Sequence, residues 1–89
     1  MNWRVKLSSQ AEKYFNKLIP SRKQQFKQIF LELSTMINPK DHRHVKPLIG
    51  RLNGFYRLRI NDYRVIISFI EDDKIIAIVN ILPRGDAYK

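Results

Sequence analysis

The chain has no cysteine. Disulfides, thiolate–zinc sites and cysteine nucleophiles are therefore excluded, which suits a reducing compartment. No apolar run approaches the ~20 residues that a membrane-spanning helix requires. The start, Met1-Asn2-Trp3-Arg4-Val5-Lys6, has no apolar signal-peptide core. The expectation is a soluble, cytoplasmic protein without membrane contact. Internal repeats and low-complexity tracts are missing too. Acidic residues are scarce: 17 Lys and Arg face 8 Asp and Glu, a net charge of +9 in 89 residues. That surplus favours a polyanionic partner such as nucleic acid or an acidic protein.

The length suits one domain, 1–89, burying roughly 60–65% of the surface its unfolded chain exposes. Trp3, Val5 and Leu7 alternate with Arg4 and Lys6, which is a half-buried strand pattern. Ser9 with Glu12 fits a capping box. Ala11, Tyr14, Phe15, Leu18 and Ile19 then form one helical stripe, ended by Pro20. Ser21 with Gln24 offers a second box, followed by the stripe Phe26, Ile29, Phe30, Leu33 and Ile37. Asn38-Pro39 stops it, because the residue before proline avoids the helical region. Residues 38–54 are polar and broken by Pro39, Pro47, Gly50 and Gly54, so a loop is expected there. Three strands follow, over 55–60, 63–70 and 74–82, with turns at Asn61-Asp62 and Glu71-Asp72-Asp73. These connections are too short for crossovers, so the strands form an antiparallel meander. The expected fold is α+β: a two-layer domain in the order β-α-α-β-β-β. Its N-terminal strand and α-hairpin pack on an antiparallel sheet, and either sheet edge is open to the first strand.

Strand alternation then sorts the arginines. Tyr56, Leu58 and Ile60 point one way, and Arg57 and Arg59 the other. Arg64 lies opposite in face to Val65, Ile67 and Phe69. Burying a guanidinium is costly, so all three arginines belong on the face away from the helices. Arg84 follows the last strand and could reach the same face. Four arginines and a terminal tyrosine, with no carboxylate or histidine placed among them, suit a phosphate-rich ligand such as RNA. Tyr56 and Tyr63 alternate with the core set, and Trp3, Phe15, Phe26 and Phe30 also read as core. His42 and His44 lack a third ligand and read as part of a solvated loop, not a metal site. Lys13, Lys17, Arg22, Lys23 and Lys27 read as a charged, solvated helix surface. Arg43, Lys46, Arg51 and Lys89 are candidate contacts to an RNA backbone.

At Tyr56-Arg57-Leu58-Arg59, Asp62-Tyr63-Arg64-Val65-Ile66 and Pro83-Arg84-Gly85-Asp86-Ala87-Tyr88 the chain resembles the RelE/ParE toxin superfamily, and within it the RelE branch. The resemblance spans nearly the whole length. It implies a RelE-like fold and the toxin of a type II toxin–antitoxin system. It further implies a ribosome-dependent endoribonuclease that cuts messenger RNA in the ribosomal A site, without cofactor or metal. The family's catalytic positions correspond to Arg57, Arg59, Arg64, Arg84 and Tyr88. The family pair at Arg57 and Arg59 is often lysine; arginine holds its charge and cannot act as a base. Tyr88 has two readings, a proton acceptor or a stacking platform for a base. The implied partners are the ribosome, messenger RNA and a RelB-like antitoxin, acidic and partly disordered when free. Operator DNA would be reached only through that antitoxin. Two other functions fit the same fold: a ParE-like inhibitor of DNA gyrase, and a non-catalytic basic binding module.

Overall fold

The computed structural model describes residues 3–83. Its elements are β1 (Arg4–Leu7), α1 (Ser9–Asn16), α2 (Pro20–Thr35), β2 (Val45–Pro47), β3 (Tyr56–Ile60), β4 (Tyr63–Ile70) and β5 (Ile75–Leu82). Short 3₁₀ turns occupy Pro39–Asp41 and Gly50–Leu52. The sheet order is β1-β5-β4-β3-β2. As expected, β3, β4 and β5 form an antiparallel meander. The open question of the first strand is resolved: β1 lies parallel to β5, with Val5 opposite Ile76.

Several local expectations are corrected. The α1 cap is Ser8, not Ser9. Its Oγ accepts from the Ala11 N–H at 3.1 Å and donates to the Val79 carbonyl at 2.7 Å. One hydroxyl thereby serves a helix start and a strand. The second helix starts at Pro20, not after Ser21. Proline suits the first helical position because its missing N–H has no intrahelical partner there. Both apolar stripes overshoot. The first helix ends at Asn16 and the second at Thr35, so Ile19 is 60% exposed and Ile37 88%. The polar segment 38–54 is also not only loop: β2 pairs antiparallel with β3 at the sheet edge. Three residues are too few to show a period. Pro47 fits an edge strand because its lost donor is not needed by a second neighbour.

The core fills the space between the helices and one sheet face. Phe26, Leu33, Leu58, Val65, Ile67, Ile76 and Ile78 are fully buried there. Each contributes roughly 1.5–3 kcal/mol through burial. Phe26 anchors the helical layer, with Tyr63 at 5.3 Å, Phe30 at 6.0 Å and Phe15 at 6.2 Å between ring centroids. Tyr56 packs edge-on to Phe69 at 5.0 Å, so both meander tyrosines join the core side as expected. Opposite Ile66 and Ile67 the register steps from Asn80 to Ile78, leaving Val79 as an extra residue. This bulge lets Ile78 and Ile81 both reach the core despite their three-residue spacing. It also turns the Val79 carbonyl toward Ser8.

Candidate functional site

Directly paired residues on neighbouring strands share a face of the sheet. Val45 pairs with the buried Leu58, so Lys46 pairs with Arg57 on the opposite, open face. Arg59 pairs with Arg64 on that same face. Three strands thus bring Lys46, Arg57, Arg59 and Arg64 together on the side away from the helices, where alternation had placed the arginines. Like charges directly opposite one another destabilise a strand pair. A sheet that keeps Arg59 facing Arg64 breaks a local rule, and such breaks concentrate at functional sites.

Two shallow concavities meet at Arg64. One, of about 320 Å³, is lined by Arg59, Asn61, Asp62 and Arg64. The other, of about 290 Å³, is lined by Arg57 and Arg64 with Leu48, Leu52, Ile66 and the bulge residues Val79 and Asn80. Arg57 and Arg64 are half-buried, with their Nε atoms shielded from solvent, while Arg59 is exposed. Partial burial limits the arrangements of the guanidinium and lowers the dielectric around it, so an anion held there is bound more firmly. Leu48 and Leu52 come from the segment expected to be a plain loop. They supply an apolar wall that no sequence period announced.

Two expectations about polar neighbours are corrected. Asp62 lines the concavity of Arg59 and Arg64, so a carboxylate does stand among the arginines. His44 is also adjacent: the Arg59 N–H donates to the His44 carbonyl at 3.0 Å. His42 is not a solvated loop residue either. It is 7% exposed, its Nε2 lies 2.9 Å from Glu32 Oε1, and its Nδ1 accepts from the His44 N–H at 3.1 Å. Because Nδ1 accepts, the ring proton sits on Nε2 and is donated to Glu32. A buried ring of this kind must have its nitrogens satisfied, and α2 and the following segment supply both partners. The bond from His42 holds the Glu32 carboxyl below its ordinary range. Burial pushes the His44 imidazole below its ordinary value, so it is neutral at pH 7. Its Nε2 accepts from Arg43 Nε at 3.3 Å. Among the described residues no group of three His, Cys, Asp or Glu is arranged to hold a metal ion.

Arg43 and Arg51 are exposed, the latter in the Gly50–Leu52 turn. Arg84, Tyr88 and Lys89 lie outside the described residues. No described helix is long and apolar enough to cross a membrane.

A model of the ParE toxin of type II toxin–antitoxin systems, parDE, matches residues 5–88. The chain belongs to the RelE/ParE superfamily of toxins. Within that superfamily the two relatives of 34–35% identity carry RelE names. A protein of Methanocaldococcus jannaschii named as toxin RelE1 is 35% identical over 89 residues, covering 100% of this chain and 98% of the relative. A chain of the archaeal RelE–RelB complex from Pyrococcus horikoshii is 34% identical and superposes with a TM-score of 0.79, covering 98% of this chain and 100% of that one. A chain of the RelBE2 toxin–antitoxin complex from Mycobacterium tuberculosis shares the fold, with a TM-score of 0.78 at 21% identity over 94% of this chain and 100% of its own. The protein is a RelE-type toxin of a type II toxin–antitoxin system.

Proposed function

We propose that this RelE-type toxin is an endoribonuclease that cuts messenger RNA in the ribosomal A site. The observation that carries the reading is the cross-strand pair Arg59 and Arg64, flanked by Arg57 and Lys46 on an open sheet face. A dianionic phosphorane is the kind of charge such a cluster suits. In the reaction the ribose 2′-oxygen loses its proton and bonds to the adjacent phosphorus. The P–O5′ bond then breaks and the 5′-oxygen gains a proton, leaving a 2′,3′-cyclic phosphate and a 5′-hydroxyl. Arg64 and Arg84 flank the scissile phosphate and stabilise the developing charge through charge-assisted hydrogen bonds. Arg57 and Arg59 steer the backbone and add positive potential. Tyr88 either takes a proton or stacks on a base. Arg43, Lys46, Arg51 and Lys89 contact RNA backbone around the site.

Guanidinium groups hold their protons and cannot act as bases, so a site built on them leans on positioning of the RNA. A ribosome that holds the messenger in an in-line geometry supplies several kcal/mol in this way. The cognate inhibitor is a RelB-like antitoxin, acidic on the segment that covers the arginines and partly disordered before binding. The toxin reaches operator DNA only through it. The ParE name of the matching family model favours a second reading, inhibition of DNA gyrase by binding.

The test is primer extension on a messenger in a purified translation system, with and without ribosomes, beside a gyrase supercoiling assay. Cuts that require ribosomes support the proposal. Intact messenger together with inhibited gyrase would replace it with the second reading.

A further inference from the structure

A groove of about 720 Å³ adjoins the arginine face and shares with it Arg59 alone of the residues given a role in RNA cleavage. Its wall on α2 is Ser21, Gln24, Gln25 and Gln28, spaced i, i+3, i+4 and i+7 along one helix face. Ile29 and Ile60 form an apolar floor, and His44, Arg59 and Asn61 close the other side. Arg59 and Asn61 also line the concavity that holds Arg64, so the two hollows are neighbours across these two residues.

The chemistry of this wall differs from the rest of the surface. The chain carries +9 charge, yet α2 presents four uncharged hydrogen-bonding side chains here. Asn61, with a positive φ of 53° at the hairpin turn, donates through its amide to Gln25 Oε1. Arg22 donates to the same oxygen at 3.3 Å, which fixes Gln25 in place. His44 is neutral because burial lowers its pKa, so it contributes a flat ring without charge. An apolar floor with an amide rim fits a flat heterocycle whose edge hydrogen-bonds, not a phosphate. The volume lies within the roughly 300–1,000 Å³ of small-ligand sites. A glutamine amide presents donor and acceptor side by side, the pattern that matches N6 and N7 of adenine. Proteins that select single-stranded RNA read such splayed bases at their edges.

We infer that this groove receives a purine base of the RNA whose phosphate lies on Arg59 and Arg64, adenine above all, and reads it through Gln24 and Gln28. This inference rests on the RNA-cutting reading and adds the subsite that sets base preference.

The test has two arms. Gln24 and Gln28 are exposed, so Gln24→Ala/Gln28→Ala keeps the fold. In the first arm, side-chain amide NMR signals of the full chain are followed during titration with AMP, GMP, CMP, UMP and inorganic phosphate. The expected result is AMP affinity roughly tenfold above CMP, UMP and phosphate, reported by Gln24 and Gln28 and lost in the double variant. Equal responses to all five probes, confined to the arginines, overturn the inference. In the second arm, cleavage sites are mapped on programmed ribosomes. The expected result is a purine preference near the cut that falls roughly tenfold in the double variant. Cutting with an unchanged base profile in the double variant removes the groove and keeps the nuclease. Adenine selectivity without any cutting keeps the groove and removes the nuclease. A double variant that loses antitoxin binding but keeps the wild-type nucleotide response assigns the groove to the antitoxin instead.

Discussion

His42→Ala tests the buried clip beside the arginine face. In the wild type His42 joins α2, through Glu32, to the strand-leading residue His44. Alanine removes a hydrogen bond to a carboxylate, worth roughly 1.5–3 kcal/mol. It also leaves the His44 N–H without its ring acceptor, and an unsatisfied part-buried donor costs roughly 1–3 kcal/mol when water cannot reach it. Some water will enter the space left by the ring, so the expected loss is roughly 2–4 kcal/mol in all. For a chain of this size each kcal/mol moves the melting temperature by roughly 4–8 °C. The expected drop is therefore on the order of 10–25 °C, read by circular dichroism at pH 7 with urea titration in parallel. Glu32→Ala should cost less, roughly 1–2 kcal/mol, because it loses the shared bond but leaves the His44 N–H with its ring acceptor. A His42→Ala protein within about 0.5 kcal/mol of wild type would refute the clip, since neither lost bond would then matter.

Other outcomes follow from the same geometry. Ser8→Ala removes a helix cap and the bond to the Val79 carbonyl, and should destabilise by roughly 1–2 kcal/mol; Ser9→Ala, measured by the same urea titration, should be nearly neutral. His44 has its pKa lowered in the folded chain, so below pH 6.5 the unfolded chain takes up a proton that the folded one refuses. Stability should therefore fall as pH drops through 6.5, and the difference between wild type and His44→Gln in urea titrations from pH 5 to 8 should show that slope, lost in the variant. Tyr88→Phe separates the two readings of that residue: cleavage on ribosomes survives if the ring stacks and drops sharply if its hydroxyl moves a proton.

What could be read from the residues depended on how far apart the deciding groups lie. The arginine face was legible because period-two alternation is local: Leu58 and Val65 are buried, so Arg57, Arg59 and Arg64 face the other way. The strand partner of β1 was not, since it depends on where the helices return the chain. The α1 cap was misplaced by one residue because Ser8 and Ser9 can both cap, and the choice rests on the Val79 carbonyl seventy-one positions away. His42 looked solvated until α2 supplied Glu32, and the edge strand Val45–Pro47 was shorter than any period. Within the candidate site, Asp62 sits in the turn that the sequence did announce, and only the side on which its carboxylate falls was missed. His44 reaches Arg59 through the edge pairing, which no spacing along the chain shows.

In the proposed reaction, guanidinium groups on the open face stabilise the phosphorane as RNA held by the ribosome is cut. The most direct measurement is the single-turnover rate of messenger cleavage on programmed ribosomes, wild type against Arg64→Ala, with the fold of both confirmed by circular dichroism. Arg64→Ala should lose on the order of 10²–10³ in rate, as for removal of one donor to a developing oxyanion. An Arg64→Ala toxin that cuts at the wild-type rate would contradict the proposed reaction.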